Sequence, residues 1–172
     1  MVVNSIFGDG SVAMVCEGEA LNHDSGSTLC RPWQHVLSTS YLFPGTKDLL
    51  TWHLGGTGFS MTLSPTLPTY LQKCLLPVIQ SILADAGLRL SDIEHWAVHP
   101  GGPRILDACQ SALFLSDEQM ATSRSVYRNY GNMSSATVGF ILDRMQIDDV
   151  KGYCVAIAFA PGVRMEMAIL RR

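Results

Sequence analysis

The chain has 172 residues, of which 47% are hydrophobic and 16% are charged, and its formal net charge is −3. This length and apolar content predict one globular domain over residues 1–172. Lys and Arg are scattered along the sequence, which argues against nucleic acid or an acidic membrane surface as a partner. No apolar run reaches the roughly eighteen residues of a transmembrane helix, and the first residues are not the basic start of a secretory signal. We therefore expect a cytoplasmic protein.

The cysteines do not form a metal-binding or disulfide pattern. Their number is odd, and no two have the C-x-x-C spacing; they are Cys16, Cys30, Cys74, Cys109 and Cys154. Such cysteines suit reduced, buried thiols better than disulfides or zinc ligands. We therefore expect no metal site.

Turns and strands are predicted in the first part of the chain. A tight turn at residues 7–10 leads into a predicted strand at residues 11–16, and residues 17–33 have the polar composition of a surface loop. Residues 35–43 and 59–63 have strand character, the second with alternating polar and apolar positions. Strand structure therefore dominates before the first long helix.

Helices alternate with strands in the second part of the chain. Apolar residues at helical spacing predict a helix over residues 67–86, although Pro77 should kink or split it. Three further helices are predicted, over residues 104–114, 116–130 and 134–145, and residues 116–119 give the second of them good capping chemistry. The last is apolar on nearly every face, so we expect it to be buried. Residues 153–159 and 163–170 are predicted to form a strand hairpin that completes the sheet.

His99 is a candidate functional residue because it ends a predicted strand. Residues 96–98 form that short buried strand, and a turn with two prolines and two glycines follows His99. Proteins of the α/β class place chemistry at such strand ends, and a His there titrates near neutrality and donates hydrogen bonds. A His that merely ends a strand is the alternative. A metal site shared with His95 is excluded by roughly 13 Å of strand between them, at about 3.3 Å per residue.

Asn132 is a second candidate because it precedes the predicted buried helix. The start of such a helix brings unpaired N–H groups and a positive dipole end into the interior. Asn132 is a good N-cap, and Ser134 and Ser135 are small and polar. The stretch is either a plain helix cap or part of a site. The rigid turn predicted around His99 favours a site, because two polar residues held in this way are stronger evidence for a site than either residue alone.

Four short motifs carry a family resemblance. They read His-Pro-Gly-Gly-Pro at residues 99–103, Gly-Asn-Met-Ser-Ser at residues 131–135, Phe-Ala-Pro-Gly at residues 159–162 and Phe-Gly-Asp-Gly at residues 7–10. Together they resemble the C-terminal half of type III polyketide synthases, the chalcone and stilbene synthase family. In the related β-ketoacyl carrier-protein synthases of the ketosynthase III type, the first two motifs would usually read His-Gln-Ala-Asn and Gly-Asn-Thr-Ser. The resemblance implies a thiolase-like α/β fold. The chain would be the C-terminal half of its five-layer αβαβα core, with a mixed sheet and a buried helix.

The resemblance also implies a reaction, decarboxylative Claisen condensation. A starter acyl group from acyl-CoA is carried on a cysteine and extended with malonyl-CoA, so CoA thioesters are substrates and no cofactor is implied. Loss of carbon dioxide leaves an enolate whose oxygen needs fixed hydrogen-bond donors. His99 and Asn132 are the donors that the match implies. His99 would also hold the nucleophilic cysteine as a thiolate.

The same match implies a cavity in which the growing polyketide folds. Its lining residues would be Trp52, Met61, Ser134 and Pro161. Packing in the core is the alternative for Trp52 and Met61. Residues at these two positions vary in the family with starter and chain length, so the match does not imply a product.

Two departures from the family pattern matter. The nucleophilic cysteine of the family belongs to an N-terminal half that these residues do not include, and neither Cys109 nor Cys154 is placed to replace it. We therefore expect the chain to be inactive alone and the N-terminal half to be a partner. Ala160 stands where the family usually has glycine, which costs about 1 kcal/mol if the backbone there needs positive φ.

Other hypotheses remain open. The chain could be a fragment of a ketosynthase III-like condensing enzyme, or a non-catalytic binding subunit with a thiolase fold. A small hydrolase with Cys109 or a serine as nucleophile and His99 as base is a third, although no elbow motif precedes either nucleophile. Half of a thiolase-like core also leaves an apolar face open, with the helix at residues 134–145 as its main part. We therefore expect a homo-oligomer.

Overall fold

A mixed sheet, a separate strand pair and several helices make up the fold. The computed structural model describes residues 3–18, 32–56 and 58–172. Its helices are α1 (Val3–Ile6), α2 (Leu67–Asp85), α3 (Pro103–Leu113), α4 (Asp117–Tyr130) and α5 (Ala136–Ile147). Its strands are β1 (Gln34–Leu42), β2 (Leu50–Gly55), β3 (Gly58–Leu63), β4 (Ile93–Val98), β5 (Tyr153–Ala160) and β6 (Arg164–Arg171).

The main sheet has four strands in the order β1-β6-β5-β4. β6 is antiparallel to both β1 and β5, whereas β4 and β5 are parallel. β2 and β3 form an antiparallel hairpin outside this sheet. The predicted α/β fold with a mixed sheet is confirmed.

Helices cover both faces of the main sheet. Side chains alternate along a strand, so Trp96 and Val98 of β4 belong to the core that β4 shares with α2 and α3. Ala97 points to the other face, where α5 packs. Ala156 of β5 lies beside Ala97 on that face, and these small side chains let α5 approach the sheet closely.

The predicted burial of α5 is confirmed over most of the helix. It begins at Ala136 rather than at Ser134, and residues 136–142 are all buried or half-buried. Ile141 faces the sheet, and the side chains of Val12 and Met14 from the first described segment lie beside Gly139. The helix is exposed only towards its C-terminal end, where its sequence becomes polar.

The first described segment lacks the predicted strand. Residues 11–16 are exposed and pair with no described strand, and the side chains of Val12 and Met14 lie against Gly139 of α5. Phe7 instead forms a single parallel bridge with Asn132. Asn132 N donates to Ile6 O at 2.8 Å, and Gly8 N donates to Asn132 O at 3.0 Å. The segment is thus tied to the backbone of the predicted site.

The remaining boundaries lie close to those predicted. α2 runs through Pro77 without a break, because Pro77 lies on the exposed side, where water can hydrate the carbonyl that it leaves unpaired. Ser116 forms the predicted capping box of α4 with Gln119. β2 was not predicted. Most of the predicted loop at residues 17–33 lies outside the described residues, as does Cys30.

The described residues also bear on membrane and metal sites. No helix among them is long and apolar enough to cross a bilayer. No group of three or more His, Cys, Asp or Glu side chains in these ranges is placed to hold a metal ion.

The contact between the first segment and the predicted site gives a prediction about Gly8. A Cβ at Gly8 would lie 2.1 Å from Tyr130 O, a backbone atom that cannot easily move. We expect Gly8→Ala to lower the free energy of unfolding by about 1–3 kcal/mol through overpacking and to expose the Asn132 amide to hydrogen exchange. Gly18→Ala is the matched control, because no atom of the described residues lies within 4 Å of its Cβ position. Equal stability and equal exchange in the two variants would contradict this packing.

Candidate active site

A cavity of about 810 Å³ lies where β4 and β5 end and the α5 region begins. Its walls come from the β2–β3 hairpin, from β1 and β6, and from the turns that follow β4 and β5. The six residues named from the sequence all line it: Trp52, Met61, His99, Asn132, Ser134 and Pro161. The fold therefore brings together residues that are more than one hundred positions apart.

His99 is held at the end of β4 by its backbone. Its N–H continues the β4–β5 pairing by donating to Ile157 O at 2.8 Å, and its carbonyl accepts from Gly101 N at 3.0 Å. The imidazole has no hydrogen-bond partner among the described residues. Burial lowers the pKa of His99 to about 4. The ring is therefore neutral near pH 7, with one nitrogen free to donate and the other free to accept.

Asn132 is 4% exposed, and its side-chain oxygen is occupied. Oδ1 accepts from Ser134 N at 2.9 Å, so the side chain closes a turn before α5, and Ser135, not Asn132, is the N-cap of that helix. Asn132 therefore bonds to the backbone before the helix, as the capping interpretation expects, but it is not the N-cap of the helix. Nδ2 has no hydrogen-bond partner among the described residues, which leaves two N–H donors at the cavity wall.

The backbone around Asn132 has two unusual conformations. Gly131 has φ of 73°, and a Cβ there would lie 3.0 Å from Ile6 O. Ser134 has φ of 57°, a region that residues other than glycine rarely adopt. Hydrogen bonds on both sides hold Ser134, since its N–H donates to Asn132 and its carbonyl accepts from Thr137 Oγ1. This tight loop places Ser134 on the cavity wall.

Trp52 and Met61 are cross-strand partners in the β2–β3 hairpin. Trp52 is 46% exposed and meets the ring of Phe59 edge-on at 5.3 Å, so the core-packing alternative is wrong for Trp52. Met61 is partly buried against the larger core and also lines the cavity, so its packing in the core does not keep it from the cavity wall.

Pro161 lies in the turn that joins β5 to β6. The turn residues Ala160 and Pro161 line the cavity, and Gly162 supplies the positive φ, 128°, that the turn requires. Ala160 is the last residue of β5 and does not have positive φ. The 1 kcal/mol penalty considered for alanine at this position therefore does not arise.

No cysteine in the part of the chain that the structure describes offers a nucleophile to this cavity. Cys109 and Cys154 are fully buried, and burial raises the pKa of each thiol to about 12. Neither lines the cavity. A thiol with such a pKa stays protonated near pH 7, so the hydrolase hypothesis that uses Cys109 has no support.

Polar residues of β1 and β6 also line the cavity and were not identified from the sequence. Ser38 and Ser40 of β1 point to it, and Glu166 of β6 pairs with Ser40. Arg164 Nε lies 2.6 Å from Glu166 Oε1. Ser38 and Ser40 could have been identified from the sequence, because residues two positions apart on a strand lie on the same face of the sheet.

Comparison with known proteins identifies the family. The family model described as the C-terminal domain of chalcone and stilbene synthases matches residues 34–172. The chain belongs to the chalcone and stilbene synthase family. Its curated relatives and its structural neighbours are type III polyketide synthases, which confirms the predicted family, the thiolase-like fold and the C-terminal position of the chain within it.

Two curated relatives show the extent of the match. The alpha-pyrone synthesis polyketide synthase-like protein Pks18 of Mycobacterium tuberculosis is 36% identical, over 96% of this chain and 42% of its own length. The 1,3,6,8-tetrahydroxynaphthalene synthase of Streptomyces peucetius is 33% identical, over 99% of this chain and 45% of its own length. The chain thus spans less than half the length of these synthases.

Solved structures agree with the sequence comparison. The crystal structure of PKS-I from the brown alga Ectocarpus siliculosus has a TM-score of 0.78 and 34% identity, over 81% of this chain and 39% of its own. That of 1,3,6,8-tetrahydroxynaphthalene synthase from Streptomyces coelicolor has a TM-score of 0.74 and 29% identity, over 81% of this chain and 40% of its own.

The burial of His99 gives a prediction for the pH dependence of stability. The folded-state pKa of His99 is lowered from 6.5 to about 4, so between these pH values the unfolded chain binds a proton that the folded chain does not. Stability is therefore lost as pH falls through this window, by up to roughly 3 kcal/mol. Denaturant unfolding at several pH values should show this loss in the wild-type chain and a smaller loss in His99→Gln. Parallel curves for the two proteins would contradict it.

Proposed function

We propose that this C-terminal domain takes part in decarboxylative Claisen condensation, in which an acyl-CoA starter is extended with malonyl-CoA. One observation carries the proposal. The unpartnered ring of His99 and the unpartnered Nδ2 of Asn132 line the same cavity. Two fixed donors on the wall of one cavity are what a developing enolate needs, because its oxygen gains negative charge as the reaction proceeds.

The chemistry assigns one role to both donors. When malonyl thioester loses carbon dioxide, the electrons of the breaking C–C bond move onto the thioester group and form an enolate. His99 and Asn132 donate hydrogen bonds to its oxygen. The enolate carbon then attacks the carbonyl of the acyl group on the cysteine, and the cysteine sulfur leaves as a thiolate. The product is a chain longer by two carbons.

His99 has a second role toward the nucleophilic cysteine. In the chain itself burial lowers the pKa of His99 to about 4, and the ring is neutral. A thiolate close to the ring would favour the imidazolium and raise that pKa, and the imidazolium in turn would favour the thiolate. This pairing requires a cysteine from outside the described residues, since no thiol among those residues lines the cavity.

The cavity suits a folded polyketide intermediate. Its walls are mostly apolar, with Trp52 and Met61 on one side and the turn at Pro161 on another. Ser134 adds a small polar group close to Asn132. These four residues bind and shape the growing chain in this proposal, while His99 and Asn132 perform the chemistry. CoA thioesters are the only small molecules that the reaction uses, and no cofactor is needed.

An N-terminal half that supplies the nucleophile is the proposed protein partner. The chain spans only 42–45% of its curated relatives Pks18 and tetrahydroxynaphthalene synthase, which supports this partner. Apolar side chains also remain exposed on the β2–β3 hairpin, where Leu54 and Phe59 are each more than 70% exposed. Exposed apolar side chains of this kind suit association with a partner. Self-association into a homo-oligomer and a cytoplasmic location belong to the same proposal.

The proposal is tested by supplying the N-terminal half of a related synthase to the purified chain. We expect no decarboxylation of malonyl-CoA by the chain alone and measurable decarboxylation by the complex. His99→Ala and Asn132→Ala should each lower kcat by about 100-fold or more, since each removes a donor to the enolate oxygen. Release of carbon dioxide from labelled malonyl-CoA measures the rate.

Matched controls separate the site from the rest of the chain. His53 and Asn129 are exposed residues of the same types that do not line the cavity, so His53→Ala and Asn129→Ala should retain the wild-type rate. Cys109→Ala should also retain it. Turnover by the chain alone that is lost in Cys109→Ala would overturn the proposal in favour of the hydrolase hypothesis.

A further inference from the structure

Four polar residues are buried among the residues that the structure describes: Thr46, Ser123, Asn132 and Thr137. Asn132 belongs to the candidate site, and each of the other three hydroxyls bonds to the backbone next to a segment that lines the cavity. We propose that Thr46, Ser123 and Thr137 are positioning residues, each of which fixes one wall of the active site. This inference rests on the function proposed above.

Ser123 fixes the strand end that carries His99. β4 is the edge strand of the sheet, so its outward backbone groups have no neighbouring strand. Ser123 lies on α4, fully buried, and its Oγ accepts from Val98 N at 3.0 Å and lies within donating distance, 3.4 Å, of Trp96 O. Val98 directly precedes His99, whose own N–H donates to Ile157. The backbone leading into His99 is thus held from both sides.

Thr137 fixes the loop that carries Asn132. It is fully buried in the first turn of α5, and its Oγ1 accepts from Met133 N at 2.9 Å and donates to Ser134 O at 2.9 Å. These two bonds flank Asn132 on its C-terminal side and hold Ser134 in its left-handed conformation. Asn132 Oδ1 adds a third bond to the loop, to Ser134 N.

Thr46 fixes the turn that carries Pro161. Its Oγ1 accepts from Val163 N at 2.6 Å, and its proton is directed to the carbonyls of Phe43, at 2.6 Å, and Gly162, at 2.9 Å. Phe43 N also donates to Val163 O at 2.9 Å. The turn between β5 and β6 is therefore tied to the segment after β1.

The hydrogen-bond partners of these three hydroxyls indicate that the hydroxyls act on the site. A buried hydroxyl is costly unless it is hydrogen-bonded, and the partners of these three side chains are all backbone groups at or beside the site. Thr51 shows the contrast. It is a neighbouring threonine of β2 whose buried Oγ1 has no hydrogen-bond partner among the described residues, and it does not line the cavity.

The test replaces each hydroxyl in the complex of the chain with a supplied N-terminal half. Ser123→Ala and Thr137→Val should lower kcat for malonyl-CoA decarboxylation by about tenfold, with KM within about threefold, because small displacements of His99 or Asn132 weaken transition-state contacts. Thr46→Val should keep the decarboxylation rate and change the ratio of polyketide products. Thr137→Ser and Thr46→Ser should restore the wild-type behaviour, and Thr51→Val is the matched control that should retain it.

Assays are run well below the unfolding temperature of each variant, so that a loss of folded protein does not enter kcat. If a hydroxyl-free variant does not fold, Ser123→Cys and Thr137→Cys serve instead, since a thiol bonds the same backbone groups more weakly. A wild-type kcat in the variants of both Ser123 and Thr137, while His99→Ala is inactive, would overturn this inference alone. A wild-type complex that does not decarboxylate malonyl-CoA would overturn the proposed function and this inference with it.

Discussion

The parallel pairing of β4 with β5 determines where the candidate site lies. Because the two strands run in the same direction, His99 after β4 and Pro161 after β5 emerge at the same edge of the sheet. The chain between these strands must return to the start of β5. α5 makes this return along the sheet, so its N-terminal end, with Asn132 just before it, lies at the same edge. One pairing thus brings three distant segments to one cavity.

The electrostatics of the site follow from burial without a charged partner. His99 has no carboxylate or thiolate close to it in the described residues, so desolvation alone lowers the pKa of His99 to about 4. A neutral imidazole and a free amide give the site two donors that carry no charge, and the Glu166 carboxylate on the same cavity is paired with Arg164. Such a site is selective for an oxygen that becomes negative during the reaction, because a permanent cation would bind the carboxylate of malonyl-CoA equally well before the reaction.

Local features of the sequence predicted most of the fold, and features that depend on distant contacts were missed. The capping box at Ser116 was found because all its groups lie within four residues. The lack of strand pairing at residues 11–16 was not, since pairing depends on which strands lie alongside. His99 and Asn132 stood out as short motifs. Ser123 and Thr46 did not, because they act on backbone 25 and 117 positions away.

The central claim is that His99 and Asn132 act on one oxygen atom. A crystal structure of the chain with its N-terminal half and a non-hydrolysable malonyl-CoA analogue tests it most directly. The account predicts that the thioester oxygen of the analogue lies about 3 Å from one ring nitrogen of His99 and about 3 Å from Asn132 Nδ2. An analogue bound in the cavity with its thioester oxygen beyond about 5 Å from either nitrogen would contradict the account, because no hydrogen bond spans that distance.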